Sequence, residues 1–551
     1  MKIDWRLFGG IRPRLRPHLL GQEEAQRAVN CKLWSGAAEP FKQPAYVKDL
    51  PAGTKTTIYR HGQNRTDEEY WCSWTTVTAP AGVDVARGFV ADDTDERFFF
   101  TGEGPIAQYS DNTLVVGSEP LPAASVALGI EAPGAVSLSY SPTSGESTVI
   151  FFAAQFVSAG GERGPIGPAS PDPAASAGLT YYHGDSITIN GIPTSLDPEV
   201  THVDLYVATT DSNGVAQFRF WKRVSEGTTT LTDDIDFDLL GEAPDSPSLV
   251  APPDGLFGLM AHPGGFLCGF ADKSFCRSEV FKPHGWPTVY RDPLPDYPVG
   301  GAVLGASVVI CTKGKTYLYT GNDPLNQIKN DLEGWQPCVS KRSIQKTTAG
   351  VIYASADGLV LVNGMGPLQL VTANHFTRTQ WQAYKPESSH AAVHDDRYFW
   401  WWDAGSGVRG LLIFEFGNGG VQMVVESDVF ATAAFADHRK DELYLALASD
   451  GHLYKWDAAI TATTQVWRSK LFHLDRPQNI GAVKIEADTY PVTFRLYGDG
   501  SLADTVTVNS EYPTTLRGDL RYREVFMEIE CASRVDSVTL ASSILDMRHG
   551  Q

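Results

Sequence analysis

With 551 residues and a formal net charge of −20, the chain is too long for one compact core and too acidic for the basic footprint of an ordinary nucleic-acid binder. Its 42% hydrophobic and 20% charged residues exclude intrinsic disorder, and no apolar run approaches the ~18 residues that cross a bilayer. Three or four domains are expected, and they are expected to be all-β. The 52 glycines and 34 prolines punctuate runs rich in Val, Thr, Tyr and Phe, and helical periodicity is scarce after residue 35.

The first unit, residues 1–45, opens on Phe8-Gly9-Gly10-Ile11-Arg12-Pro13-Arg14-Leu15-Arg16-Pro17. Proline fixes its own φ and pushes its predecessor out of the helical region, so this stretch is expected to be extended. Extended backbone alternates its side chains, which puts Arg12, Arg14 and Arg16 on one side as a basic comb. Residues 19–31, with Glu23-Glu24-Ala25-Gln26-Arg27-Ala28 at their centre, read as one short helix. Basic charge without a continuous apolar stretch or a small-residue cleavage site gives no secretory signal.

Residues 46–131 carry short aromatic strands, Tyr70-Trp71-Cys72-Ser73-Trp74 and Arg97-Phe98-Phe99-Phe100-Thr101, which read as a β-propeller blade. The span 132–250 opens on Ala132-Pro133, closes on the proline-rich stretch Pro244 to Pro253, and alternates regularly through Thr148–Phe152, Ser186–Ile189 and His202–Ala208. It is expected to be a β-sandwich inserted into the propeller, and it resembles a fibronectin type III module.

Residues 251–468 are expected to supply the rest of the propeller. Gly264–Phe270 begins one blade, and a charged turn leading into a hydrophobic strand recurs at Lys313–Tyr319, Asp357–Val362, Asp396–Trp402 and Asp441–Leu447. That spacing, about 40–45 residues, is a propeller-blade period. A two-sheet sandwich also gives evenly spaced strands; the propeller is preferred. The Ser449-Asp450-Gly451-His452 turn reads as a tight hairpin. Residues 469–551, with Lys484–Asp488, Val492–Tyr497, Val525–Glu530 and Val535–Leu540 alternating, are expected to form a separate C-terminal β-sandwich.

Few residues suggest chemistry. The seven cysteines are scattered, without CxxC spacing, and read as buried thiols rather than zinc ligands or a disulfide framework. Asp233-Asp234-Ile235-Asp236-Phe237-Asp238 could present alternate carboxylates to calcium, but it lacks the glycine and terminal glutamate of an EF-hand loop and reads as a solvated turn. Asp67-Glu68-Glu69 and Asp92–Glu96 read the same way. The sequon Asn64-Arg65-Thr66 reads as chance. His390, His394 and Trp400-Trp401-Trp402 could stack a sugar or a base; three tryptophans in a row on a strand must face both sides, which favours packing. No G-x-S-x-G elbow, Walker loop, H-E-x-x-H or sialidase-type Ser-x-Asp-x-Gly-x-Thr-Trp turn is present. No catalytic residue, metal ligand or cofactor is expected.

Two groups of residues carry a family resemblance. One is Gly9-Gly10-Ile11-Arg12-Pro13-Arg14-Leu15 continuing to Ala25, Asn30, Leu33, Gly36, Ala37 and Pro40. The other is Leu318–Pro324, Gln336–Ser343, Gly350–Leu359, Leu370-Val371-Thr372, Phe376 and Trp381-Gln382. In order and spacing they resemble the tail nozzle, or tail tubular, proteins of short-tailed bacteriophages. The resemblance implies a non-enzymatic virion protein of the tail, made in the host cytoplasm. Six copies would form a ring below the portal and its adaptor, extending the DNA channel and taking part in genome retention and ejection. It implies a homohexamer, the portal–adaptor ring as partner, double-stranded DNA passing through without sequence-specific binding, and contacts with tail fibres or spikes. No membrane is involved. An acidic lumen suits this, since phosphate contacts with Lys or Arg would hold the polymer in place.

Arg12, Arg14 and Arg16 are the expected adaptor-docking residues. No channel-lining residue can be assigned from the sequence; the proline-rich connection 283–298 is one segment that could serve, though a surface loop is the simpler reading. The competing classes are a glycan-binding or glycan-cleaving propeller acting at the host surface, and an adhesin that uses its sandwiches as spacers.

Overall fold

The computed structural model describes residues 2–62, 69–89, 93–171, 176–210, 216–245, 249–417, 420–447 and 451–548. The Asn64 sequon, Asp67-Glu68, Asp92 and the Ser449-Asp450 half of the expected hairpin lie outside them. The chain is all-β: a β-propeller carries an inserted β-sandwich and a C-terminal β-sandwich.

Seven antiparallel blades surround the propeller axis among the described residues. Blade 1 has two strands, Lys55–His61 and Tyr70–Thr75. Blade 2 runs from Asp84–Arg87 to Val126–Ala127, and blade 3 from Phe257–His262 to Arg291–Pro293. Blade 4 starts at Pro298–Leu304, blade 5 at Gln345–Thr347 and blade 6 at His390–His394. Blade 7 starts at Ala431–Asp437, and its outermost strand is Ala45–Asp49 from the far end of the chain. That strand latches the ring shut. The segment 46–125 therefore holds blades 1 and 2, together with most of the closing strand of blade 7.

The recurring charged turn marks the period but not one blade position. Lys313–Tyr319 and Asp357–Val362 lead into third strands, whereas Asp396–Trp402 and Asp441–Leu447 lead into second strands. What these sites share is a tight turn before a buried strand, and a blade has several. Asp396 and Asp441 sit at φ 54° and 52°, the left-handed region that Asp tolerates better than most residues.

The propeller core lies between blades rather than at the axis. Tyr59, Cys72, Trp74, Phe98 and Phe100 pack blades 1 and 2 together. Phe270, Phe275, Ile310, Tyr317 and Tyr319 do the same for blades 3 and 4, and Ile58, Trp71, Ala433, Tyr444 and Leu453 for blades 7 and 1. Middle strands such as Ser307–Thr312 and Gly350–Ala354 are thus apolar on both faces, and burying the two faces against neighbouring blades is the main stabilising term. All seven cysteines are buried and unpaired. The 283–298 connection is anchored by Trp286, which is fully buried and donates from Nε1 to the Pro283 carbonyl at 2.8 Å, and it includes the outer strand of blade 3.

The insertion packs a three-stranded sheet (Ser137–Ser139, Ser186–Gly191, Leu231–Asp234) on a five-stranded one built around Ser147–Ser158 and Val200–Thr210. Within it, Asp204 is fully buried and held by a two-pronged contact from Arg223 at 2.6 and 2.9 Å.

The N-terminal expectations need correcting. Residues 25–29 are a strand, not a helix: Ala25–Val29 runs antiparallel to Gln465–Ser469 and touches Gly420–Ser427 of blade 6 in parallel. Helix propensity is a weak prior, and two open sheet edges outbid it. Ala25 and Ala28 are fully buried in that sheet. Glu24, a helix former, instead closes a turn by accepting from the Gly21 backbone N–H at 2.7 Å.

This strand joins blade 6 to the C-terminal sandwich in one ten-stranded sheet. Lys2–Trp5 pairs with Val535–Ala541 in the opposing sheet. Residues 469–551 are consequently not a detached unit. Their core is continuous with that of blades 5, 6 and 7.

Candidate functional site at the propeller axis

Every blade sends its innermost segment to the axis, where a cavity of about 200 Å³ is lined by residues of all seven. Its walls are narrow in side chains: Gly258, Gly300 and Gly301 face it. Their bareness is required. A Cβ on Gly300 would lie 2.9 Å from Ile344 and 3.1 Å from the Lys341 stem, and one on Gly301 2.6 Å from the Val309 carbonyl oxygen.

Into the space so left comes the short turn Lys341–Ser343, just before the inner strand of blade 5. Ser343 fixes it: its Oγ donates to the Ser340 carbonyl at 2.7 Å and accepts from the Ala354 N–H at 2.9 Å. Tyr398 donates to the Ser343 carbonyl at 2.5 Å. The two cations then point across the axis. Lys341 Nζ meets Asp84 Oδ2 of blade 2 at 2.9 Å, and the same oxygen accepts from the Gly258 N–H of blade 3 at 2.7 Å. Arg342 Nη2 donates to the Thr56 carbonyl of blade 1 at 2.6 Å and to the Thr432 carbonyl of blade 7 at 2.5 Å.

Burial lowers the Arg342 pKa to about 10, so the guanidinium stays charged at neutral pH. His390, on the inner strand of blade 6, is stacked on Trp401 at 5.2 Å. Burial first, then the nearby Arg342 charge, hold its pKa well below the ordinary value, so it is neutral. The axis is therefore plugged by side chains on one side and opens into a wider mouth of about 1050 Å³ beside Arg87, His262 and Lys346.

The predicted docking arginines lie elsewhere, and they do not form a comb. Each proline takes the second position of a tight turn instead of extending the chain, with Leu15 N–H bonded to the Arg12 carbonyl and Leu19 N–H to the Arg16 carbonyl. Arg12 is spent internally: Nη1 pairs with Glu24 at 3.0 Å and Nε donates to the Asn374 carbonyl at 3.1 Å. Arg14 is exposed but reaches back to the Ala373 carbonyl. Arg16 is exposed and has no side-chain partner among the described residues.

The aromatic cluster resolves into core. Trp400 and Trp401 are fully buried, and Trp381 stacks on Trp400 at 4.4 Å. In the acidic run, Asp233 pairs with Lys222 and Asp236 caps a turn by accepting from the Asp238 N–H. No group of three His, Cys, Asp or Glu among the described residues could hold a metal ion.

No family model matches the chain, and no curated protein does. Among solved structures it is similar to the β-propeller domain of Cps50 (Swd1) from Myceliophteria thermophila, at 10% identity and TM-score 0.30, over 76% of this chain and all of that one. It is also similar to the extracellular domain of a hybrid two-component system from B. thetaiotaomicron, at 10% identity and TM-score 0.24, over 69% of this chain and 46% of that one. A third is the dihydro-heme d1 dehydrogenase NirN, at 8% identity and TM-score 0.24, over 68% and 74%. At these scores the propeller assignment rests on the strand pairing described above.

The sequence reading missed the axial residues because nothing local distinguishes them. Lys341 and Arg342 are neighbours in the chain, but Asp84 and His390 join them only through the circular order of blades.

Proposed function

We propose that the chain is a tail nozzle subunit, a structural virion protein that assembles into a ring continuing the DNA channel below the portal–adaptor. The observation that carries this reading is how the two groups of residues behind the family resemblance meet. Arg14 N–H bonds to the His375 carbonyl at 2.8 Å, next to Phe376 of the second group, and Gln380 Nε2 bonds to the Pro13 carbonyl at 2.8 Å, next to Trp381. Segments some 360 positions apart in the chain thus pack together, which supports reading the two groups as parts of one structural element.

Signature positions have mechanical tasks. Asn30, at φ 56°, bonds the Thr464 carbonyl and accepts from Ser427 Oγ at 2.8 Å, tying three segments together. Gly36 lies at φ 86°, where a Cβ would meet Leu7 at 2.8 Å. A propeller latched by its own N-terminal strand and welded to a sandwich through one sheet is a stiff wedge, suited to a ring that bears pressure. A duplex whose major groove alone is about 12 Å wide does not fit the plugged axis, so the DNA path of this reading runs between subunits.

The test is light scattering and negative-stain microscopy of the purified protein, alone and with a candidate portal–adaptor complex. A ring that caps the adaptor supports the reading. Docking is then probed by Arg14→Glu with Arg16→Glu, because removing residues 1–18 would also remove Trp5, Phe8 and Ile11 from the core. A persistent monomer that ignores the adaptor and binds host polysaccharide overturns it in favour of a glycan-binding propeller.

A further inference from the structure

Of the two cations on the axial turn, only one meets a carboxylate. Lys341 is neutralised by Asp84. Among the described residues no carboxylate lies within 4.0 Å of the Arg342 guanidinium, which is held by two backbone carbonyls through Nη2 alone. No acceptor among the described residues meets its Nε or Nη1, and the residue lines the cavity. A charge withdrawn from water without a counter-ion is costly, and a neutral amide could bridge the same carbonyls for less. The neutral His390 beside it supplies no negative charge.

We propose that the axial cavity is a binding site for a small oxyanion, a free phosphate or a small carboxylate, held by the charge of Arg342 and a single hydrogen bond from its Nε or Nη1. Lys341 and Asp84 cancel, so the site carries one net positive charge. Nη2 belongs to both parallel N–H pairs of the guanidinium and is taken by the two carbonyls, so an anion oxygen is met by one N–H at a time, in a charge-assisted hydrogen bond. The volume of about 200 Å³ is below that of drug-sized pockets, and it is room for a tetrahedral or carboxylate group with a few waters. Glycines 258, 300 and 301 keep the walls thin enough for the anion to reach the guanidinium. Entry is by the wider mouth beside Lys346. A bound anion would draw blades 1, 7 and 5 together through the residue that already spans them.

The test uses the full chain in chloride buffer, titrated with inorganic phosphate or with acetate at constant ionic strength. Thermal midpoint and, for phosphate, 31P line width are read. The expected result is a saturable rise in midpoint with at least one of the two, the responding anion identifying its class, and none with chloride. Arg342→Gln should weaken the response roughly ten- to a hundredfold, the loss of a charge-assisted hydrogen bond. Ala434→Leu fills the cavity while leaving Arg342 in place and should abolish the response, which covers the case in which the arginine variant does not fold. Lys484→Gln, on the C-terminal sandwich, should leave it unchanged. No saturable response to either anion, or an equal one in Arg342→Gln or Ala434→Leu, overturns the proposal and leaves Arg342 as a tie between blades.

Discussion

The propeller ring closes where blade 7 meets blade 1, and replacing Arg60 with methionine should open that seam. Arg60 on the inner strand of blade 1 has a side chain only 3% exposed, and Asp437 on blade 7 only 2%. They meet at 2.7 Å, and a second arm of Arg60 reaches Glu69 at 2.8 Å. Arg60→Met keeps most of the stem volume but strands the Asp437 carboxylate in a dry interface. Breaking a buried pair from one side costs about 3–5 kcal/mol, much more than an exposed pair would. Unfolding entropy for a chain of this length is about 1.2 kcal/mol per degree, so the thermal midpoint should fall by about 2.5–4 °C where the chain melts as a unit. Adding Asp437→Asn removes the stranded charge and keeps the oxygen that accepts from the Arg439 N–H at 3.1 Å. The double variant should regain most of the loss. Urea unfolding followed by tryptophan emission is the assay, with Trp71 reporting from 4.6 Å beside Tyr444 across the same seam. A loss below about 1 kcal/mol for Arg60→Met, or a double variant no better than the single one, would refute a desolvated pair at the seam.

Three further outcomes are expected. Burial first, then Arg12, push the pKa of His375 down to about 4 against the opposing pull of Glu24. The unfolded chain takes up that proton near pH 6.5, so stability should fall from pH 6.5 towards 4 and level off below; His375→Gln should flatten this window, and Arg12→Gln should raise the His375 pKa by NMR. Glu69 is raised by burial but brought below the ordinary carboxylate range by Lys440 and Arg60, so its contribution is present above about pH 4.3 and lost as pH falls further, a loss that acid titration of Arg60→Met should show reduced. Gly10→Ala would set a Cβ 2.3 Å from the Val424 carbonyl oxygen, forcing the N-terminal segment off blade 6. Its cost, about 1–3 kcal/mol or more, should appear in urea unfolding together with faster proteolysis at residues 9–20.

The sequence by itself determined the class, the blade period and the place of the insertion. Runs such as Thr148–Phe152 and Leu359–Val362, cut by Gly, Pro and Asp turns, carry their strand preference locally and bury it in almost any β context. It also marked Phe8 to Pro40 as unusual, and those residues do hold the two larger units together. It misjudged their conformation, because Ala25–Val29 is a strand only when the edges of Gly420–Ser427 and Gln465–Ser469 are brought beside it. The same holds for Arg12-Pro13, a turn whose Arg12 and Arg14 side chains reach the carbonyls of Asn374 and Ala373, and for Arg16-Pro17, a turn whose Pro17 carbonyl accepts from the Leu471 N–H. Only the tertiary structure decided that Ala45–Asp49 closes the ring from the opposite end of the chain. It alone put Asp84, Lys341, Arg342 and His390 at one axis. Such groupings depend on contacts between residues hundreds of positions apart, and the free energy of closing those loops leaves no trace in local propensity.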